Sequence, residues 1–220
     1  MCIRDRFCAY PIFQDNRVYR PYHLKHHRFT ETKDDPDLSL SAPFPIKKDS
    51  FYRKIFRDLT GITGYKRYSQ ALNSILNTEA KNSKEKLNKV WHKIHGFLIT
   101  NTIIFFMISI FFHWSLFFLL WWLPAFTYYS LIIRIRNIAE HSVTPGNNNF
   151  DNTRTTLTNP LVRFLMAPHR VNYHLEHHLF MMCPWYNLPK AHSMMIENGY
   201  EDRMCIANSY RSVLMKAVSA

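Results

Sequence analysis

Cysteine is scarce: the chain has four in 220 residues, Cys2, Cys8, Cys183 and Cys205, and no Cys-x-x-Cys pair. That pattern excludes a disulfide framework and a zinc ribbon, and it fits a reducing, cytosol-facing environment. The opening Met1-Cys2-Ile3-Arg4-Asp5-Arg6 carries charge with no apolar run behind it, so it does not read as a cleavable signal peptide. A net charge of +12 and a pI near 9.6 raise the question of nucleic acid. The basic residues are scattered through both flanks, however, with no zinc finger, RNP-like or recognition-helix signature among them. We therefore expect no nucleic-acid partner, and anionic headgroups suffice to explain the charge.

The most informative absence is internal. From Phe97 to Ile133, a run of 37 residues, there is no Asp, Glu, Lys or Arg, and all 28 basic residues lie outside it. The mean hydropathy of −0.25 hides this segregation. One crossing of a hydrocarbon core takes roughly 20 residues, so the run is too long for one span and suits two short ones. His113-Trp114-Ser115 breaks it near the middle. The reading is a helical hairpin, about 97 to 112 and about 115 to 133. Its tip has no Lys or Arg, so both ends return to the basic, cytosolic side.

Against this background the twelve histidines stand out. His23-Leu24-Lys25-His26-His27 precedes the apolar run and His174-Leu175-Glu176-His177-His178 follows it. Imidazoles at i, i+3 and i+4 of a helix share one face, so each box forms one wall of a metal-sized point. An even number of crossings puts both boxes on the same side of the membrane. With His141 they supply seven candidate ligands, and four are usual for one structural zinc, which argues for a binuclear site. Imidazole without cysteine suits Zn, Cu, Ni or Fe, and redox iron is the more natural choice. The zinc-protease motif His-Glu-x-x-His is absent, and so is its inverse, because Glu176 stands one place too early. Glu140 and Glu176 are placed to orient imidazoles from behind.

The rest of the chain frames these boxes. Pro36 is expected to end the helix carrying the first box. A short helix from Asp49 or Ser50 to Leu59 puts Phe51, Ile55, Phe56 and Leu59 opposite Arg53, Lys54 and Arg57, as in a helix lying among headgroups, with Gly61 and Gly64 as its stop. A polar helical region, 66 to 95, approaches the bilayer through Trp91. Thr144-Pro145-Gly146-Asn147-Asn148-Asn149 stops the second apolar helix, residues 151 to 156 are a polar stretch, and a C-terminal helix closes the chain. His92 and His95 read as interfacial packing, His113 lies at the hairpin tip, and His169 and His192 flank the His174–His178 box in supporting roles.

The two boxes around an apolar hairpin, with Asn137-Ile138-Ala139-Glu140-His141 between them, resemble the membrane fatty acid desaturase family. Its superfamily includes lipid and carotenoid hydroxylases and ketolases. Asp35-Pro36-Asp37-Leu38, Asn172 to Phe180 and Pro184-Trp185-Tyr186-Asn187-Leu188-Pro189 are similar too, and the likeness runs from about Tyr22 to about Gly199. The resemblance implies an all-α integral membrane fold of four transmembrane helices, of which one hairpin is here, with a cytosolic helical cap holding a di-iron site. Residues 1–95 are then a cytosolic region with a box and an interfacial helix, 96–133 the hairpin, and 134–220 a second cytosolic region.

By the same resemblance His23, His26 and His27 match the family's second histidine box and His174, His177 and His178 the family's third. His141 matches an extra ligand, Asn137 a residue reaching iron through water, and Glu140 and Glu176 remain supporting carboxylates. The family's own first box, two histidines at the end of an earlier transmembrane helix, has no match, so the chain is expected to be the C-terminal portion of a longer protein. The implied cofactors are two non-haem Fe ions, with O2 as co-substrate. The implied reaction introduces a double bond into an acyl lipid, with electrons from a cytochrome b5-like or ferredoxin-like donor. The protein would be a multi-pass enzyme of a bacterial inner membrane or the endoplasmic reticulum, its site facing the cytosol. The alternatives are a hydroxylase or ketolase acting on a carotenoid or sphingolipid, and an inactive fragment.

Overall fold

The computed structural model describes residues 8–146 and 148–218. The opening hexapeptide with Cys2, and Asn147 of the expected loop, lie outside the described residues. Cys8, Cys183 and Cys205 are free thiols. The chain is mostly helical: α1 (Asn16–Phe29), α2 (Lys48–Leu59), α3 (Ile62–Leu76), α4 (Ser83–Phe111), α5 (Ser115–His141), α6 (Pro160–Met166), α7 (His174–Leu179), α8 (Leu188–Glu197) and α9 (Tyr210–Ala217). A two-residue strand, β1 (Thr155–Thr156), pairs in parallel with β2 (Ile206–Ala207), a small ladder that an all-helical reading does not anticipate. The chain divides into two compact units.

The first unit takes residues 8–23 and 55–131. It contains α4 and most of α5, both long and apolar enough to cross a membrane. Only 17% of each apolar window is buried within the protein, where the core helix of a soluble domain would be mostly covered. Ile103, Phe106 and Ile110 are more than half exposed, as side chains facing lipid would be. The first apolar helix begins at Ser83, well before the expected 97. Asn82 caps it by accepting the Glu85 N–H at 2.8 Å, and the Glu85 carboxylate accepts the Lys81 N–H in return. At 29 residues it is about 44 Å long, more than the roughly 30 Å hydrocarbon thickness requires.

The hairpin tip falls where the sequence breaks. α4 ends at Phe111, Phe112 is extended, and His113 Nδ1 meets Ser115 Oγ at 2.8 Å. The two arms pack through aromatic edges, Phe105 on Phe117 at 5.4 Å and Phe97 on Trp122 at 5.8 Å. Within α5, Phe118–Trp122 widens to a π-helix, with the Leu123 N–H reaching Phe118 O. Pro124, one residue on, has no N–H to continue a tighter ladder.

Gly64 does not stop a helix as expected. It lies inside α3, where a Cβ would come within 2.3 Å of Phe126 O, so hydrogen there permits the backbone of α5 to approach. Gly61, with φ +79, supplies the left-handed residue of the Thr60–Gly61 turn between α2 and α3.

The second unit takes residues 24–54 and 132–218. Its core joins Leu175, Met195 and Met204, with Phe150, Leu179 and Ile206 against them. The helix carrying the first box ends at Phe29, seven residues before Pro36. Thr30 returns its hydroxyl to His26 O at 2.8 Å and Glu31 turns left-handed at φ 60, so the stop comes from the polar turn and not from proline. The C-terminal region is two helices, α8 and α9, separated by β2.

Candidate metal centre

Three stretches of the second unit bring their imidazoles together. His26 and His27 come from the end of α1, His141 from the end of α5, and His174, His177 and His178 from α7. His26, His141, His174 and His178 form one group whose potential ligand atoms all lie within 4.8 Å of one another. Within it, His174 Nε2 is 2.9 Å from His141 Nε2 and 3.1 Å from His178 Nε2. Beside it His27 Nε2 approaches His177 Nε2 at 3.1 Å, and the His27 ring stacks on His178 at 4.0 Å. His23 falls in the other unit, one helical turn before His27 on α1, with its ring stacked on Tyr19 at 5.1 Å.

The donor set fits a metal. A neutral imidazole carries one ring N–H and one lone pair, and where the proton is on Nδ1 the Nε2 lone pairs face one another across 2.9 to 3.1 Å, an arrangement that a cation between them relieves. Two metal–nitrogen bonds of about 2.1 Å at a right angle span about 3.0 Å, which is the separation of these nitrogens. Burial, followed by the neighbouring His178 and His141, pushes His174 well below the usual imidazole value. Burial does the same to His178, and lowers His177 less strongly. The three rings of α7 are thus held in the neutral form that a metal needs.

The groups behind the rings decide which nitrogen faces inward. His26 Nδ1 donates to Asp35 Oδ1 at 2.8 Å, both residues being buried, so its Nε2 is left as the acceptor. Asp35 is itself fixed, accepting the Asp37 N–H at Oδ1 and the Glu31 N–H at Oδ2. Thr30 Oγ1 accepts from His178 Nδ1 at 3.2 Å while its own hydrogen goes to His26 O. Neither residue is marked as a site member by a motif of its own. Asp35 belongs to the Asp35-Pro36-Asp37-Leu38 stretch, and an acid nine residues after a histidine is the only local hint of the pairing.

The predicted supporting carboxylates take up different partners. Glu140 accepts from Arg136 Nε at 3.0 Å, and its Oε2 lies 3.9 Å from His174 Nδ1, beyond hydrogen-bonding distance. Glu176, fully buried, accepts from His192 Nδ1 at 2.6 Å and from the Thr155 hydroxyl. Asn137 is half-buried one turn before His141 on α5. His95 packs against Trp91 and Tyr10, as an interfacial residue would.

Residues 154 to 156 hold the cradle. Arg154, buried, gives its guanidinium to Ala139 O and Val143 O and its N–H to Glu140 O, gripping the end of α5 where His141 sits. Thr155 bonds Glu176 on α7, and Thr156 exchanges main-chain and side-chain hydrogen bonds with Asn172, just before α7 begins. One buried segment therefore positions both the His141 helix and the His174–His178 helix.

The family model for fatty acid desaturase matches residues 2–206 of this chain. No curated protein matches it, and no solved structure does.

Proposed function

Because this chain belongs to the fatty acid desaturase family, a family of membrane oxidoreductases acting on lipids, we propose that it takes part in O2-dependent introduction of a double bond into a lipid acyl chain. The observation that carries the proposal is the convergence of Nε2 atoms at 2.9 to 3.1 Å from three separate segments of a chain the family model covers. Two non-haem iron ions are the proposed cofactors, held by His23, His26, His27, His141, His174, His177 and His178, with Asn137 reaching through water. When bound, iron supplies the redox chemistry by which O2, two electrons and two protons remove two hydrogens from adjacent carbons and leave as two waters.

The protein's own residues do the rest. Asp35 and Thr30 keep His26 and His178 in the tautomer whose Nε2 lone pair faces inward. Burial of His26, His141 and His174 excludes bulk water from one side of the centre. The apolar helices α4 and α5 supply the membrane context in which an acyl chain is available, and the regions 1–95 and 134–220 are proposed as the cytosolic cap around hairpin 96–133. A cytochrome b5-like or ferredoxin-like protein is the proposed donor, and the net charge of +12 favours an acidic partner.

The test is product analysis by mass spectrometry after expression of the gene in a host supplying lipid and donor. Loss of two hydrogens from an acyl chain is expected, and His178→Ala abolishes it. Gain of an oxygen atom instead would assign the chain to hydroxylation, and turnover retained in His178→Ala would refute the ligand set.

A further inference from the structure

Away from the histidines, the second unit carries a cleft of about 500 Å3 between α6 and the turn at Trp185. Arg163 and Arg170 line it together with His169, Phe164 and Trp185. Both arginines are half-buried, and among the described residues neither guanidinium has a hydrogen bond or an ion pair. The chain offers no help nearby, since no Asp or Glu occurs between Asp151 and Glu176. Two partly desolvated guanidiniums sharing one cleft repel each other and have lost part of their hydration, an arrangement that an anion relieves.

The cleft is also built, not incidental. His169 and Arg170 are consecutive non-glycine residues in the left-handed region, at φ 57 and φ 56, a conformation kept only where the surroundings impose it. The turn sets the His169 ring edge-on against Trp185 at 5.1 Å and sends Arg170 into the same cleft as Arg163.

The rim identifies the kind of anion. Phe164, which lines the cleft, is 79% exposed, and Trp185, which also lines it, is 48% exposed. A soluble phosphate or carboxylate would need the arginines but not this apolar rim. Arginines beside exposed aromatic side chains are what a surface in the headgroup layer presents, and a guanidinium grips phosphate with two parallel hydrogen bonds.

We propose that the cleft between α6 and the Trp185 turn binds the phosphate of an anionic membrane phospholipid, through Arg163 and Arg170, while Phe164 and Trp185 meet its acyl layer. The proposal rests on the membrane reading above, but on neither iron nor desaturation.

The full chain, purified in detergent and stripped of lipid, is titrated with dioleoyl phosphatidylglycerol and, separately, dioleoyl phosphatidylcholine in native mass spectrometry. The wild type is expected to bind phosphatidylglycerol about tenfold more tightly, and Arg163→Gln with Arg170→Gln removes that preference. Phe164→Gln weakens both lipids and keeps the preference. Unchanged phosphatidylglycerol binding in the double variant overturns the proposal. So does displacement of the lipid by an equal concentration of glycerol 3-phosphate, which would show that the apolar rim is idle. If circular dichroism shows the double variant unfolded, Arg163→Lys and Arg170→Lys carry the test: each keeps the charge, loses the forked geometry and is expected to weaken phosphatidylglycerol several-fold, and equal binding overturns it. Metal content of the double variant is measured alongside and stays at the wild-type level, so failure here and failure of the histidine centre are read separately.

Discussion

Asp35→Asn tests whether the metal centre depends on a carboxylate behind its ligands. Asp35 accepts three hydrogens: His26 Nδ1–H and the Asp37 N–H at Oδ1, and the Glu31 N–H at Oδ2. Asparagine has one oxygen. If that oxygen faces His26, its amide NH2 meets the Glu31 N–H, and one buried donor is left without an acceptor at a cost of about 1 to 3 kcal/mol. If the amide is reversed, the NH2 faces His26 Nδ1 and drives the proton to Nε2, which removes the lone pair the centre needs. Either outcome weakens the metal, and losses of a supporting carboxylate run to roughly 10- to 100-fold in affinity, or about 1.4 to 2.7 kcal/mol. The assay is iron per chain against a series of buffered free-iron concentrations, read by elemental analysis, with Asp37→Asn as the comparison. Asp37 Oδ2 is 3.7 Å from His26 Nδ1, too far for a hydrogen bond, so its loss is expected to change affinity less than threefold. Wild-type affinity in Asp35→Asn, or equal loss in both variants, refutes the reasoning.

Other consequences can be checked on the same preparations. In the metal-free protein His174 and His178 are held well below the ordinary value by burial, so the unfolded chain binds protons that the folded one refuses; stability is fully present above about pH 6.5 and is lost as pH falls below it. The melting temperature without metal should therefore drop between pH 7.5 and 5.5, and a flat profile contradicts the burial. Gly64→Ala places a Cβ 2.3 Å from Phe126 O, a backbone atom that cannot swing aside, and should destabilise by roughly 1 to 3 kcal/mol; an unchanged melt would show that α3 and α5 do not approach so closely. Glu176→Gln leaves one of its two donors, His192 Nδ1 or the Thr155 hydroxyl, facing an NH2 group, and is expected to lower thermal stability by about 1 to 3 kcal/mol. Chemical denaturation measures it, and a variant as stable as the wild type would refute the buried network.

The apolar hairpin was legible because lipid imposes a requirement on composition itself: a spanning helix cannot carry unpaired charge, and the run from Phe97 to Ile133 carries none. The helix ends were less so. Hydropathy reports where lipid begins, whereas Asn82 decides where the helix begins, and nothing between them breaks it. Gly64 was misread for a similar reason. A glycine near the end of one helix looks like a stop, but the backbone it admits lies about sixty residues further on, and no local pattern announces a close approach.

The histidine boxes were legible because their chemistry is written in the helical period: i, i+3 and i+4 on one helix need no knowledge of the rest of the chain. The residues that aim those histidines have no such signature. Arg154, Thr155 and Thr156 look like part of a polar connection, and their importance comes from partners eleven to about fifty residues away: Ala139, Val143, Asn172, Glu176 and the strand at Ile206. Beside the direct bonds from Asp35 and Thr30, part of the geometry of the histidine cluster is therefore stored apart from its rings, in main-chain bonds and in Glu176, a carboxylate bonded to none of the clustered imidazoles. Removing His174 or His178 deletes a donor and leaves this cradle standing. Removing Glu176 leaves every donor in place and frees the helix that carries three of them, so loss of ligands and loss of aim are separable by measuring metal content and stability on the same variants.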